Sequence, residues 1–448
     1  MTQSTPSRSQ FALLTQRRFA PFFGAQFFGA FNDNLFKTAL VTAITFDAAS
    51  WTDLNVGLLN NLIAGLFILP FVLASATAGQ VADKTDKAFL MRAVKLMEIA
   101  IMLIAAFGWA MHNLWLLVAA VMGMGLHSTI FGPVKHSYLP QHLSQQELIG
   151  GNGLVQMGTF VGILTGQLLG AAAMALGSTG VTVIVVATLA VAVIGWLLTL
   201  LVPSSPPAAP DLHISRNIFA ESVRNLRFSA SNRDVFIAML ANSWFWFFGA
   251  MILAQFPVYA RDVLHGVPEV FAVLLTAFSV GIGVGSLLCE RLSGRRLHLG
   301  LVPIGALGLS IFGMDLYFAS TVTMPTQVTA SSLLFGEQWR VLLDCFLLGG
   351  FGGIYVVPLF ALIQTRSEPS HLSRTIGGMN ILNALFMVVA ALIAMVLLSI
   401  GVSVPGIFLF TALANSLLLI MLCAIQPEYL REAHRWVIEC FSRQRLVE

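Results

Sequence analysis

Asn32, Asp33, Asn34 and, one turn on, Lys37 stand inside the otherwise apolar stretch FFGAFNDNLFK. A charge in the middle of a lipid-spanning helix costs on the order of a few kcal/mol unless it faces a cavity or a partner. Asp33 and Lys37 are four residues apart and share one helix face, so they either pair with each other or anchor a polar ligand in a central cavity. Lys95 and Glu98 raise the same question three residues apart. Glu98 lies about 15 Å in from the start of its helix at about 1.5 Å per residue, either facing the cavity or spent on Lys95 and interhelical hydrogen bonds. Lys135 is near one end of its helix, where its stem can snorkel to the interface or reach a carboxylate across the bundle. His127 is read as a packing histidine, and Asp315 and Asp344 as structural residues near outer helix ends.

The elements that must hold these groups are membrane spans. Hydrophobic residues make up 57% of the chain and charged residues 10%, and mean hydropathy is +0.83. Soluble domains of this size carry far more charge. Stretches of about 20 apolar residues, the length that crosses a hydrocarbon core, fall near 20–46, 55–82, 88–110, 113–136, 149–176, 180–202, 234–261, 268–290, 297–320, 341–364, 374–401 and 404–425. The fold class is therefore all-α integral membrane protein with twelve transmembrane helices. Arg and Lys gather in the even-numbered connections and both tails: Arg8, Arg17, Arg18, Lys84, Lys87, Arg92, Arg216, Arg224, Arg227, Arg233, Arg291, Arg295, Arg296, Arg366, Arg374, Arg431, Arg435, Arg443 and Arg445. The opposite loops offer only Arg261 and Arg340. Positive charge is retained on the cytoplasmic side, so both termini are expected there. The net charge of +3 follows from this bias and points to no nucleic-acid partner.

A faint repeat divides the chain. Phe27-Phe28-Gly29-Ala30 recurs as Phe247-Phe248-Gly249-Ala250, Ile149-Gly150-Gly151 as Ile376-Gly377-Gly378, and Pro133 as Pro358. The order of the matches predicts two six-helix halves, 20–202 and 234–425, between a tail at 1–19, a linker at 203–233 and a tail at 426–448. Parallel halves of this kind hold a substrate site between them near the midplane. The linker opens with the Pro-rich run 203–210 and continues amphipathically; the second tail repeats that design with Leu430, Ala433, Val437, Cys440 and Phe441 against Arg431, Arg435 and Arg443. Both read as helices lying on the membrane surface, or as a docking surface for a cytosolic partner. Gly158, Gly162, Gly166 and Gly170 make a small-residue face for close helix packing.

The segment Gly79-Gln80-Val81-Ala82-Asp83-Lys84-Thr85-Asp86-Lys87 resembles the signature loop of the major facilitator superfamily. A weaker echo stands in Glu290-Arg291 with Arg295-Arg296. An acidic residue at a helix end can engage basic residues and a helix terminus in one conformation only. Gly79, Asp83, Lys84, Lys87, Glu290, Arg291 and Arg295 are therefore assigned to gating.

Phe31-Asn32-Asp33-Asn34, Phe131-Gly132-Pro133-Val134-Lys135, Tyr138-Leu139-Pro140, Gly151-Asn152-Gly153-Leu154, and Gly352-Gly353-Ile354-Tyr355-Val356-Val357-Pro358-Leu359 with Ala361-Leu362-Ile363-Gln364 together resemble the bacterial lysophospholipid transporter family of that superfamily. The family includes transporter domains fused to acyltransferase and acyl-ACP synthetase domains. Phe360 is a departure where family members usually have Asn. The resemblance implies inward movement of lysophosphatidylethanolamine and lysophosphatidylglycerol across the bacterial inner membrane for reacylation. It also implies a functional partnership with a cytoplasmic acyltransferase, and we expect a monomer. A zwitterionic headgroup needs a carboxylate for its amine and a cation for its phosphate; Asp33, Asn32, Asn34, Lys37, Lys135 and Glu98 form the expected substrate site.

The runner-up is a proton-coupled carrier of a small polar or amphiphilic solute, with Asp33 or Glu98 as proton site. A scaffold for lipid enzymes is a third reading. A membrane-embedded acyltransferase is disfavoured, because none of the histidines opens a His-x4-Asp motif and there is no nucleotide-binding glycine loop. Cys289, Cys345, Cys423 and Cys440 stand singly, so neither cofactor nor metal is expected.

Overall fold

A computed structural model of the chain describes residues 9–215, 217–320, 328–336 and 338–444. Arg8, Arg216 and Arg445, and the side chains of Cys440, Phe441 and Arg443, lie outside what it describes. The elements are helices: α1 (Ala20–Phe46), α2 (Ala48–Trp51), α3 (Val56–Leu73), α4 (Ser75–Lys84), α5 (Lys87–Ala110), α6 (Leu114–His142), α7 (Gln145–Met174), α8 (Ser178–Leu201), α9 (Ile218–Ser231), α10 (Arg233–Leu253), α11 (Phe256–Val258), α12 (Pro268–Leu292), α13 (Leu301–Ala319), α14 (Ala330–Phe335), α15 (Trp339–Arg366), α16 (Leu372–Ser399), α17 (Val404–Ile425) and α18 (Pro427–Gln444).

Among the described residues, ten helices are long and apolar enough to cross a membrane. The two other long helices at expected spans are α1 and α5, which carry Asp33 with Lys37 and Lys95 with Glu98. Counting these two, the twelve expected spans are present. Two elements differ from the reading of the sequence. The second span is divided at Ala74, between α3 and α4. The seventh stops at Leu253 and resumes after Gln255 as α11 and a π-helical turn, Tyr259–Val263.

The chain forms two units, Met1–Phe236 with Gln364–Ala384, and Ile237–Ile363 with Leu385–Glu448. In the first, the glycine face of α7 lies on the backbone of α1. A methyl added at Gly162 would stand 3.0 Å from the Phe27 carbonyl oxygen, and one at Gly170 2.6 Å from that of Leu35. In lipid, such close packing replaces the hydrophobic drive that water supplies to soluble folds. Phe36, Leu40, Leu59, Met102, Leu117 and Val121 fill the space between α1, α3, α5 and α6.

The second unit has a comparable seam that the sequence reading missed. Gly353 of α15 meets α12 closely enough that a methyl would stand 2.6 Å from the Ser286 amide nitrogen, and one at Gly349 2.9 Å from that of Ile282. Neutral polar groups hold α13 to α17: Asn415 donates to the Ala306 carbonyl (2.7 Å) and to Ser310 Oγ (2.9 Å), and accepts from Trp244 Nε1 (2.9 Å). The amphipathic tail helix α18 docks on the loop before α13, where Trp436 Nε1 donates to the Leu292 carbonyl (2.6 Å) and Glu432 accepts from the Leu299 amide (2.6 Å).

Candidate functional site

The polar residues of α1 divide between two environments. Asn32 is fully buried and turns toward α5, donating from Nδ2 to Glu98 Oε1 (2.7 Å) and to the Thr188 carbonyl of α8 (3.2 Å). Glu98 Oε2 takes Lys95 Nζ at 2.6 Å and stands 3.2 Å from His127 Nε2 of α6. The Lys95 and Glu98 side chains are both 0% exposed. Two opposite charges at this depth are tolerable only as a pair with further hydrogen bonds. The geometry encloses Glu98 among protein groups and makes His127, read from sequence as packing alone, a member of the cluster. An intramembrane histidine facing an intramembrane carboxylate was the available signal.

Asp33, the next residue, has a different partner. Its Oδ2 accepts from the Ser128 hydroxyl of α6, while Oδ1 is buried with no hydrogen-bond donor. The Asp33–Lys37 pairing that the spacing allows is not made: Lys37 Nζ lies over the Phe67 ring, 4.4 Å from its centroid. Lys135, two turns beyond Ser128 on α6, makes no ion pair among the described residues, and Asp33 is the charge that acts on it electrostatically. Asn34 donates to the Ala30 carbonyl (2.9 Å) and accepts a long contact from Gln167 Nε2 (3.4 Å). The first unit therefore carries a carboxylate with one oxygen unengaged and two unpaired ammonium groups. That set suits a ligand bearing both an amine and an anion.

Gly79, Asp83, Lys84 and Lys87, assigned to gating from the sequence, lie on α4 and the start of α5. Asp83 closes the first turn of α16: Oδ1 accepts from the Ser373 amide (3.0 Å), and Oδ2 from the Arg374 amide (3.2 Å) and Arg374 Nε (3.0 Å). A carboxylate on exposed amide groups at a helix N-terminus is favoured by the helix dipole. Gly79 permits the approach, since a methyl there would stand 2.7 Å from Arg374 Cα. Lys87 is buried and acted on by Asp83 and Asp86; Lys84 is half-buried.

Three further polar contacts in this unit were not anticipated. Asn152 Nδ2 donates to Gln364 Oε1 (2.5 Å), Gln364 Nε2 donates to the His136 carbonyl (2.9 Å), and Ser373 Oγ donates to Ser137 Oγ (2.9 Å). Uncharged side chains at helix ends give no sequence signal that separates a latch from a cap. In the second unit Glu290 pairs with Arg295 (3.2 Å) and Arg291 is exposed.

Apolar spans, with buried charges inside those of the first unit, define a polytopic membrane protein. The family model described as Major Facilitator Superfamily matches residues 22–336, and the chain belongs to that superfamily of transporters. Among curated proteins it is similar to the lysophospholipid transporter LplT of Pectobacterium carotovorum subsp. carotovorum, 24% identical over 352 residues, covering 77% of this chain and 78% of the relative. LplT of an Enterobacter species is 25% identical over 364 residues, covering 80% and 81%. Among solved structures, the human organic anion transporter TETRAN superposes with a TM-score of 0.71 at 14% identity, covering 90% of this chain and 99% of that one. The E. coli fucose:proton symporter FucP gives 0.68 at 15%, covering 93% and 98%. At such identities the solved structures speak for the fold alone.

Proposed function

We propose that this protein carries lysophospholipids, with lysophosphatidylethanolamine and lysophosphatidylglycerol as substrates, from the outer to the inner leaflet of the bacterial inner membrane. The six-helix halves at 20–202 and 234–425 alternate access, both termini are cytoplasmic, and the carrier acts as a monomer. A cytoplasmic acyltransferase or acyl-ACP synthetase reacylates the delivered lipid. The observation that carries this reading is the unengaged Oδ1 of Asp33 in one unit with the unpaired Lys135 and Lys37. Asp33 takes the ethanolamine ammonium, and Lys135 or Lys37 the phosphate. The names of the similar LplT proteins support the substrate class. The acyl chain stays in lipid through a lateral opening. Asp83 and Gly79 form the latch with Arg374, and Glu290 with Arg295 its weaker echo.

The test is uptake of labelled lysophosphatidylethanolamine into spheroplasts that lack their own transporter and express this chain, with and without a protonophore. Uptake that survives the protonophore is expected. No uptake would return the small-solute carrier to first place, and uptake that collapses would keep the substrate and add ion coupling.

A further inference from the structure

We propose that Glu98 is a positioning residue: it clamps α1 to α6 one residue before the site on each helix, and so holds Asp33 for the headgroup amine. This rests on the lysophospholipid reading. Asn32 on α1 precedes Asp33, and His127 on α6 precedes Ser128. Glu98 reaches both, with Oε1 on Asn32 Nδ2 at 2.7 Å and Oε2 3.2 Å from His127 Nε2. Asp33 and Ser128, the next residue along each helix, hydrogen-bond to each other. The Glu98 bridge from α5 and the direct Asp33–Ser128 bond stack one residue apart along α1 and α6, and at Asp33 an acidic oxygen, Oδ1, is left without a donor.

Lys95 makes the clamp electrically neutral. Its Nζ lies 2.6 Å from Glu98 Oε2 and 5.5 Å from the Phe131 ring centroid. It occupies space left by Gly29, where a methyl would stand 2.7 Å from Nζ. The enclosure keeps the clamp from contacting substrate, so its effect reaches transport only through where Asp33 sits. That makes the effect headgroup-selective: an ethanolamine lipid needs Asp33, whereas a glycerol lipid presents no amine to it.

Two variants test this in the full-length protein. Asn32→Ala removes the α1 arm and leaves the Lys95–Glu98 pair intact. KM for lysophosphatidylethanolamine is expected to rise about tenfold, the scale of one weakened hydrogen bond to a charged group, with KM for lysophosphatidylglycerol changed by less than about twofold. Lys95→Met with Glu98→Gln removes both charges and keeps an acceptor for Asn32; uptake of both lipids is expected within about threefold of the unaltered protein. Equal losses for the two headgroups in Asn32→Ala would reduce the clamp to general packing, and a dead double variant would make the charge itself the working group.

Carbodiimide modification mapped by mass spectrometry reads the clamp without transport. Glu98 is expected to be protected and Asp33 modified, with the Asp33 rate changed at least about threefold in Asn32→Ala. Equal Asp33 modification in the two proteins, including none in either, would overturn the clamp. Failure of the unaltered protein to take up either lipid would instead overturn the transport reading.

Discussion

The two units share a repeated motif and treat it in opposite ways. Phe27-Phe28-Gly29-Ala30 leads into Phe31-Asn32-Asp33-Asn34, whereas Phe247-Phe248-Gly249-Ala250 leads into Met251-Ile252-Leu253-Ala254. A methyl at Gly29 would strike Lys95 Nζ at 2.7 Å, while at Gly249 nothing lies within 4 Å. The first unit buries Asp33, Lys95 and Glu98 inside its spans. The second holds α13 to α17 with the amide of Asn415, and its Asp315 pairs with Arg340 at helix ends. The first unit pairs its buried Glu98 with Lys95 deep inside the spans, whereas the buried carboxyls of the second, Glu290 and Asp344, stand toward helix ends.

The sharpest way to break that contrast is Asp33→Ala. Loss of a charge-assisted contact of about 3 kcal/mol lowers uptake about 100-fold, with membrane expression intact; normal uptake would reject the anchor. Asp83→Ala leaves the Ser373 and Arg374 amide groups and the Arg374 guanidinium without their acceptor. A transport rate about tenfold lower is expected at matched expression, and an unchanged rate would remove the latch. The glycine pair sharpens the comparison directly. Gly29→Ala must displace a lysine already held by Glu98 and is expected to destabilise by about 2 kcal/mol. Gly249→Ala has room and is expected to be neutral or stabilising by about 0.5 kcal/mol. Thermal unfolding of the two variants in detergent checks the order.

An effect smaller than that of Gly29→Ala is expected at Asp86, outside the spans. It caps α5 through the Phe89 amide (2.9 Å) and holds the linker through Ser204 Oγ (2.6 Å) and the Ser205 amide (2.9 Å). Partial burial pushes its carboxyl up, but the hydrogen bonds, led by that from Ser204, outweigh it and leave the group below its ordinary value. A depressed folded-state value stabilises fully above the unfolded carboxyl value of about 3.9 and is lost as pH falls through the folded one. Asp86→Asn is expected to lower stability by about 1 kcal/mol at neutral pH, with a gap to the unaltered protein that closes in acid.

What the sequence makes legible is what one helix decides by itself. Span length, the glycine stripe at 158–170 and the amphipathic tail are single-helix patterns, and each is present in the structure. Which partner a buried charge takes depends on three helices at once. Spacing of four admits an Asp33–Lys37 pair, yet Ser128 and Phe67 from other helices claim the two groups. Glu98 reads as a candidate ligand contact until α1 and α6 close over it. Continuous hydropathy over 55–82 hid the division at Ala74.

Purified protein in proteoliposomes tests the central claim most directly, by following a fluorescent lysophosphatidylethanolamine from one leaflet to the other. Saturable movement, absent from empty liposomes and blocked by the unlabelled lipid, is expected; movement no faster than in empty liposomes would contradict lysophospholipid transport by this chain.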